Sequence, residues 1–189
     1  MPAKPDKREV LLQTALRLFV ESGFNDTPTS RIAKEANIAT GTLFYFFPTK
    51  DHLIHALYAK LKSQSQEYML RAITEGASRP EIIKAYYVES LHWALDHQPE
   101  FSFLAQYVHS PYARQAGEAS AAPHPILTHL EQAIAHQEIQ ALDTALVYAL
   151  LNSHVLGVHQ FMLSNAFTGQ QRQEIIQTTF ELFWKMISP

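Results

Sequence analysis

An aromatic run in the first quarter of the chain is the strongest candidate for a functional contact. Residues 43–47 read LFYFF, Thr40 and Thr42 lie just before this run, and Lys50 follows it. The run is compatible with a buried strand, with a helix end that faces the core, or with a surface for a partner. Aromatic rings that face outward can touch the methyl group of thymine, stack on a sugar or donate a phenolic O–H to a phosphate.

Other chemistry is disfavoured by the residue types present. Cysteine is absent, which excludes a disulfide framework and thiolate metal sites. The pairs His92 and His97, and His154 and His159, are five residues apart and so fall on different faces of a helix, which disfavours a metal site. No grouping of serine, histidine and acid and no glycine-rich phosphate loop can be assigned. We therefore expect no enzyme activity, no metal and no cofactor.

The charge distribution is uneven along the chain. The net charge is −3, but residues 1–50 carry seven Lys and Arg against five acids, whereas residues 51–189 carry eight against thirteen. A basic small part joined to an acidic large part indicates that only the first part touches phosphate. The N-terminus lacks a signal-peptide pattern, and the most apolar stretch, at 145–163, contains several polar residues. These features predict a cytoplasmic protein.

Helical periodicity extends over nearly the whole chain, which predicts an all-α protein. Leu11 and Leu18 fall on one face of the first helix, and Gly23 follows as its predicted C-terminal cap. Thr27 is predicted to cap the second helix, and Thr49 the fourth. The predicted helices span residues 7–22, 28–36, 40–47, 49–76, 80–97, 99–109, 125–136, 138–165 and 170–187, with a surface loop at 110–125.

Two short helices joined by a turn, between two longer helices, form a helix-turn-helix arrangement. The stretch TPTSRIAKEANIATGTLFYFFPTKDHL, at residues 27–53, resembles the DNA-binding segment of the TetR family of transcriptional regulators. The family pattern is T-x-x-x-x-I-A-x-x-A-x-V-[ST]-x-G-T-[LF]-Y-x-[YH]-F-x-[ST]-K-x-x-L. The resemblance implies a three-helix DNA-binding domain at 1–50, joined to a helical effector-binding and dimerisation domain at 51–189.

The resemblance also implies roles for individual side chains. Leu43 and Phe47 are four residues apart, so we expect them to pack inward while Phe44 and Tyr45 face outward. Lys4, Lys7 and Arg8 are expected to form a basic arm. The residues expected to contact DNA are Thr40, Gly41, Thr42, Phe44 and Tyr45 at bases or adjacent backbone, Thr29, Ser30 and Arg31 at phosphate or an edge base, and Lys50 at phosphate. The pattern is not matched everywhere, because Ala39 stands where a capping serine is frequent.

The last two helices carry the pattern of a partner interface. Small residues recur every four positions on the penultimate helix, and apolar residues line one face of the last helix. The resemblance implies a homodimer through these two helices, and the alternative is that both faces fill the core of the monomer. The small residues are Ala141, Ala145, Ala149, Ser153 and Gly157, and the apolar residues are Ile176, Phe180, Phe183 and Trp184.

Aromatic residues in the middle of the chain are candidates for an effector pocket. Such aromatic residues fill a core more often than they line a pocket, and the candidates are Tyr86, Glu89, Trp93, Phe103, Tyr107 and Phe161. The resemblance implies a repressor that binds a palindromic operator as a homodimer and is released by a small molecule. The alternatives are a DNA-binding regulator without small-molecule control and a helical module that does not bind DNA.

Overall fold

The computed structural model describes residues 6–116 and 124–189, and these residues form ten α-helices and no strand. The predicted all-α fold is therefore confirmed. The helices are α1 Lys7–Ser22, α2 Thr29–Glu35, α3 Thr40–Phe46, α4 Lys50–Arg71, α5 Arg79–Asp96, α6 Gln98–Val108, α7 Pro111–Ala116, α8 Pro125–Ala135, α9 Thr144–Leu163 and α10 Gly169–Ile187.

The chain divides into two compact units that are not contiguous in sequence. The first unit comprises Met1–Ser63 and Gln98–Ser120, and the second comprises Gln64–His97 and Ala121–Pro189. One division between the units falls inside α4, and α6 and α7 belong to the first unit. This division separates compact units of the fold, whereas the boundary predicted after Lys50 separates functions. That functional boundary stays a prediction.

The first unit is held by one apolar core. In α1, Asp6 caps the N-terminus by accepting a bond from the Arg8 amide at 2.9 Å, and the apolar stripe of the helix is buried. Helix α6 packs against α1, and its Phe103 and Tyr107 are buried among side chains of α1 and α4. The other fully buried members include Leu11, Leu12, Leu18, Phe19, Ile32, Leu43, Leu53 and Ile54.

Thr27 does not cap α2, contrary to the prediction. The N-cap of α2 is Pro28, which makes no side-chain cap bond, whereas Thr27 is completely buried. Its hydroxyl lies 2.8 Å from the Gly23 carbonyl and 3.2 Å from the Leu18 carbonyl. Buried hydroxyls are normally hydrogen-bonded, and here the bond closes the connection between α1 and α2. Gly23 itself has φ 76°, a value that favours glycine, as its predicted capping position requires.

The second unit is built around α5, which packs against α8, α9 and α10. Ser78 and Glu81 form a capping box at the start of α5, and Thr168 and Gln171 form another at α10. The main apolar residues of this core are Ile83, Tyr87, Leu91, Leu130, Val147, Leu151, Ile176, Phe180 and Phe183. Ile176, Phe180 and Phe183 thus fill the core of their own unit, which corrects their assignment to a partner interface.

Two histidines of α9 face this core. His154 Nδ1 lies 2.8 Å from the Tyr87 hydroxyl, and His159 Nε2 lies 3.1 Å from the Ala94 carbonyl oxygen. Burial lowers the pKa of both imidazoles, because removal from water disfavours their charged form. Both histidines are therefore more easily kept neutral in the folded chain than in the unfolded chain.

Two predicted boundaries in the second half of the chain are wrong. Helix α9 begins at Thr144 and not at 138, because Asp143 caps it by accepting bonds from the amides of Ala145 and Leu146 at 2.8 and 3.1 Å. Gln137, with φ 58°, ends the preceding helix in the left-handed region. The loop predicted at 110–125 contains the short helix α7, and its residues 117–123 lie outside the described part of the chain.

Candidate nucleic-acid interface

Helices α2 and α3 are joined by a four-residue turn whose backbone fixes their angle. Asn37 adopts φ 52° in this turn, a conformation that asparagine tolerates better than most residues. The Ile38 amide then donates to the Ala33 carbonyl at 2.9 Å. Ala39 is the N-cap of α3 and makes no side-chain cap bond, in line with the missing serine at this position. The predicted helix-turn-helix is thus present in the structure.

Helix α3 divides the aromatic run between two faces. Leu43 and Phe47 are buried in the core of the first unit, whereas Phe44 and Tyr45 are 43% and 82% exposed. Phe46 is half-buried and packs edge-on against Tyr45, with ring centroids 5.3 Å apart. The predicted orientation of these side chains is confirmed. The question raised by the run is answered as well, since it serves both as core and as surface.

The exposed side of α3 carries no charge. Thr40, Gly41, Phe44 and Tyr45 form this side, which we call the α3 outer face, and Thr42 is half-buried beside it. A Cβ added at Gly41 would meet nothing within 4 Å. The helical backbone does not require glycine there either, so neither folding nor packing within the chain accounts for this residue. A close approach by an external partner would account for it.

The side chain of Arg31 is held within the first unit. Its Nε lies 2.9 Å from Glu35 Oε1, and one terminal nitrogen lies 3.1 Å from Ser22 Oγ. Glu35 also pairs with Arg17, and these two guanidinium groups, Arg17 foremost, lower the pKa of its carboxyl. Of the other predicted contacts on α2, Ser30 is exposed and Thr29 is half-buried. The predicted DNA contacts of these residues stay predictions.

Lys50 connects the start of α4 to the chain between α1 and α2. Its ammonium group donates to the Phe24 carbonyl oxygen. Burial lowers the pKa of the lysine, while the nearby Asp51 and Asp26 act in the opposite direction. An ammonium group has three donors, so a bond to a carbonyl leaves it able to bind a phosphate as well. The carbonyl contact was not predicted, because spacing in sequence does not reveal it.

The predicted basic arm is only partly described. Lys7 and Arg8 belong to the first turn of α1, so they are helical and not part of a loose arm. The guanidinium of Arg8 lies over the Phe47 ring, 5.4 Å from its centroid. Lys4 lies outside the described residues.

The six candidates for an effector pocket are distributed over both units. Phe103 and Tyr107 belong to the core of the first unit, where Tyr107 stacks on Tyr58 with centroids 3.8 Å apart. The Tyr107 hydroxyl also lies 2.9 Å from His55 Nδ1. In the second unit, Phe161 is half-exposed on α9. Packing therefore accounts for Phe103 and Tyr107 without any ligand.

The remaining three candidates lie on α5 in the second unit. Tyr86 is buried, with its hydroxyl 3.2 Å from His124 Nε2. Trp93 is also buried and stacks on His97 with centroids 5.3 Å apart. Glu89 is less buried and lies 3.4 Å from His92 Nδ1. A groove of about 420 Å³ between α5 and α10 does not include any of the three, and it is lined by Val88, His92, Gln173, Glu174, Ile176, Gln177 and Thr178.

A second exposed surface lies on α9. This helix contains no Asp, Glu, Lys or Arg, and the small residues Ala145, Ala149, Ser153 and Gly157 are all exposed on it. The large apolar residues Leu146, Phe161 and Leu163 are also about half exposed. We call this side of the helix the α9 face. By length and composition alone, α9 could also cross a membrane, but the core helices of soluble proteins meet the same criterion.

Comparisons with known proteins place these features in context. Residues 11–57 match the family described as "Bacterial regulatory proteins, tetR family". The chain is 30% identical over 95 residues to the fatty acid metabolism regulator protein of Bacillus subtilis, an alignment that covers 50% of this chain and 48% of that protein. It is 29% identical over 104 residues to the HTH-type nicotine-responsive transcriptional repressor HdnoR of Paenarthrobacter nicotinovorans, covering 54% and 52%. The chain therefore spans about half the length of these curated relatives.

The similarity in structure extends over the whole chain. A crystal structure of a tetR family transcription regulator from Shewanella sp. PV-4 superimposes with a TM-score of 0.88 at 26% sequence identity. The superposition covers 98% of this chain and 100% of that one. Both chains thus have an N-terminal helix-turn-helix followed by further helices.

Proposed function

The chain belongs to the TetR family of DNA-binding transcriptional regulators, and from this premise we propose that it is a ligand-responsive repressor that binds a palindromic operator as a homodimer. The observation that carries the proposal is the exposure of Phe44 and Tyr45 on a short helix whose other side is anchored in the core. Such a helix presents a rigid outer face to the major groove of DNA. We assign this role to residues 1–50 and place the protein in the cytoplasm, where it meets DNA.

The proposed contacts divide into two groups. The α3 outer face, with Thr42 at its edge, would meet base edges and the adjacent backbone. Thr29, Ser30, Arg31 and Lys50 would meet phosphates. Arg31 pairs with Glu35, which orients its guanidinium but offsets part of its charge, while Lys34, also on α2, remains exposed.

The proposed homodimer rests on the α9 face. An exposed helix side without charge, with small residues every four positions, allows a second helix to approach closely. The α9 face would then pack on the same face of a second copy, as two-fold symmetry requires. On α10, Leu182 and Met186 are exposed and would complete the interface in place of the buried Phe180 and Phe183. Two copies would also supply the two half-site contacts that specific binding needs.

The proposed response to a small molecule depends on a difference in affinity between two conformations. A ligand releases the repressor only if it binds the form that does not bind DNA more tightly. A relative described as a nicotine-responsive repressor supports this part of the proposal. A regulator without small-molecule control is the second candidate, and it is favoured by the burial of Tyr86 and Trp93, whose rings pack on histidines of their own unit.

Fluorescence anisotropy tests DNA binding directly. The purified protein is titrated into labelled DNA from upstream of its own gene and into a scrambled duplex, at several salt concentrations. We expect tight binding that prefers the upstream DNA and saturates at two or four chains per duplex. If neither this DNA nor duplexes selected from a random pool bind at low salt, the proposed function is wrong. The same assay then screens small molecules by release of the DNA.

Two substitutions test the assigned contacts. Tyr45→Ala and Lys50→Ala should each weaken operator binding without changing the oligomeric state. Arg172→Ala is the matched control, since it removes an exposed cation from α10 in the second unit. Unchanged operator affinity in both test variants would remove these residues from the contact surface.

The homodimer is tested by placing a charge on the α9 face. Gly157→Glu should convert the dimer to monomer in sedimentation experiments, because two carboxylates would be buried against each other. The substitution fits the isolated chain, since a Cβ at Gly157 would meet nothing within 4 Å. Gln177→Glu, on an exposed part of α10, is the control. A Gly157→Glu protein that dimerises as tightly as the unchanged protein would show that the interface lies elsewhere.

A further inference from the structure

The α3 outer face has an unusual chemical inventory for a surface that reads base pairs. In the major groove, guanine is typically recognised by arginine or lysine, and adenine by asparagine or glutamine. Helix α3 has the sequence TGTLFYF and contains none of these four residue types. Its exposed groups are the Thr40 side chain, the Phe44 ring and the Tyr45 ring, with bare backbone at Gly41. Bidentate recognition of purines by this helix is therefore excluded.

Two neighbouring cations do not replace the missing groups. Arg31 is held by Glu35 and Ser22, and the ammonium group of Lys50 bonds to the Phe24 carbonyl. Both side chains are thus directed by contacts within the first unit. They also lie on α2 and at the start of α4, outside α3. These positions suit contacts with phosphates, which fix register but carry no sequence information.

The one apolar group on base edges in the major groove is the C5-methyl group of thymine. We propose that the α3 outer face reads thymine through this methyl group, with Phe44 as the principal contact, so that the base pairs under α3 are A·T or T·A. The inference rests on the proposed function and specifies which bases its interface reads. Phe44 is 43% exposed and has no polar atom, so its ring offers a base an apolar contact and no conventional hydrogen bond.

Replacement of thymine by deoxyuridine tests the inference with the unchanged protein. Deoxyuridine keeps every hydrogen-bonding group of thymine and removes only the methyl. Operators are first obtained by selection from random duplexes, and each thymine of a half-site is then replaced in turn. From the transfer free energy of one methyl group, we expect about a fourfold loss of affinity at each position contacted by α3, and no loss outside it.

A double-mutant cycle assigns the contact to one side chain. The Phe44→Ala protein should bind operators with thymine or deoxyuridine equally well at the position that Phe44 contacts. At the other contacted positions, replacement of thymine by deoxyuridine should still weaken binding. Val108→Ala is the matched control, because it truncates an exposed apolar side chain of the first unit that lies outside α2 and α3, and it should keep every sensitivity to deoxyuridine. Both side chains are exposed, so neither substitution should disturb the core, and circular dichroism verifies that each variant is folded.

The outcomes separate the inference from the function on which it rests. No sequence-specific DNA binding at all would refute the proposed function. Specific binding with equal affinity for thymine and deoxyuridine at every position would refute the inference alone. A selected half-site whose central pairs are G·C would refute it as well, while sensitivity that persists in Phe44→Ala would assign the methyl contact to another residue and overturn the role of Phe44.

Discussion

Gly41→Ala should separate the stability of the protein from its affinity for DNA. Gly41 lies in the first turn of α3 with helical backbone angles, and a Cβ built there would meet nothing within 4 Å. Alanine is the best helix former and glycine one of the worst, with a difference of about 1 kcal/mol in a helix interior. We expect stabilisation of at most about this size, which for a chain of 189 residues corresponds to a rise in Tm of about 2–4 °C.

The effect on DNA binding should have the opposite sign. If α3 approaches the DNA closely at Gly41, an added methyl group overpacks the interface, and overpacking typically costs about 1–3 kcal/mol. This free energy corresponds to a loss of affinity of roughly five- to more than a hundredfold. A variant that is more stable and yet binds more weakly cannot be explained by partial unfolding.

Calorimetry and anisotropy on the same preparations measure the two quantities. Gly169→Ala is the matched control, because Gly169 is also in the first turn of a helix and a Cβ there would also meet nothing within 4 Å. The control should raise Tm similarly without any change in operator affinity. If Gly41→Ala binds the operator as tightly as the unchanged protein, the argument that an external partner requires this glycine is refuted.

Three further predictions concern single side chains. Thr27→Val removes a buried hydroxyl whose one hydrogen lies between two carbonyl oxygens, and it should lower the free energy of unfolding by about 1–2 kcal/mol in urea titrations. Glu35→Gln removes the negative charge that offsets Arg17 and Arg31, while its amide oxygen can still accept hydrogen bonds from them, so DNA binding should become severalfold tighter and more dependent on salt. Because burial lowers the pKa of His154, the unfolded chain binds more protons below about pH 6.5 and stability should decrease as the pH falls; His154→Gln should weaken this dependence.

Each of these predictions has a control and a contrary outcome. Val20→Thr is the control for Thr27→Val, because it exchanges the same two residue types in reverse at a half-buried position of α1. A Thr27→Val protein as stable as the unchanged one would show that the hydrogen bonding of the Thr27 hydroxyl is not needed. Glu131→Gln removes an exposed carboxylate of the second unit, so an equal gain in DNA affinity there would reveal a mere effect of net charge. The pH argument is wrong if the urea midpoint is the same at pH 7.5 and 5.5.

Helices in the first third of the chain could be predicted from sequence because their signals are local. The bounds of α1 agree with the prediction, since its apolar periodicity and Gly23 together mark both its face and its end. The division of the aromatic run was predictable for the same reason, because residues four apart share a face of a helix. Recognition of the family likewise depended on a short contiguous motif.

Features that depend on contacts distant in sequence could not be predicted. Arg31 and Glu35 are four residues apart in one helix, so spacing alone predicts that they can pair. The pair of Arg17 with the same carboxylate joins two helices, and spacing does not predict it. The burial of Phe180 and Phe183 is a similar case, because an apolar face looks the same in sequence whether its own unit or a second copy covers it. Asp143 was missed as a cap because the apolar period continues upstream of it.

The order of the chain in the first unit constrains how the protein can be made. Its core is completed by Phe103 and Tyr107 of α6, which emerge from the ribosome only after α5 of the other unit. A fragment that ends at residue 63 would leave Phe19 and Leu57 without these partners and expose apolar surface to solvent. The core of the first unit is therefore complete only once α6, which ends at Val108, has been synthesised, and dissection of the protein into a minimal DNA-binding peptide should yield a less stable product.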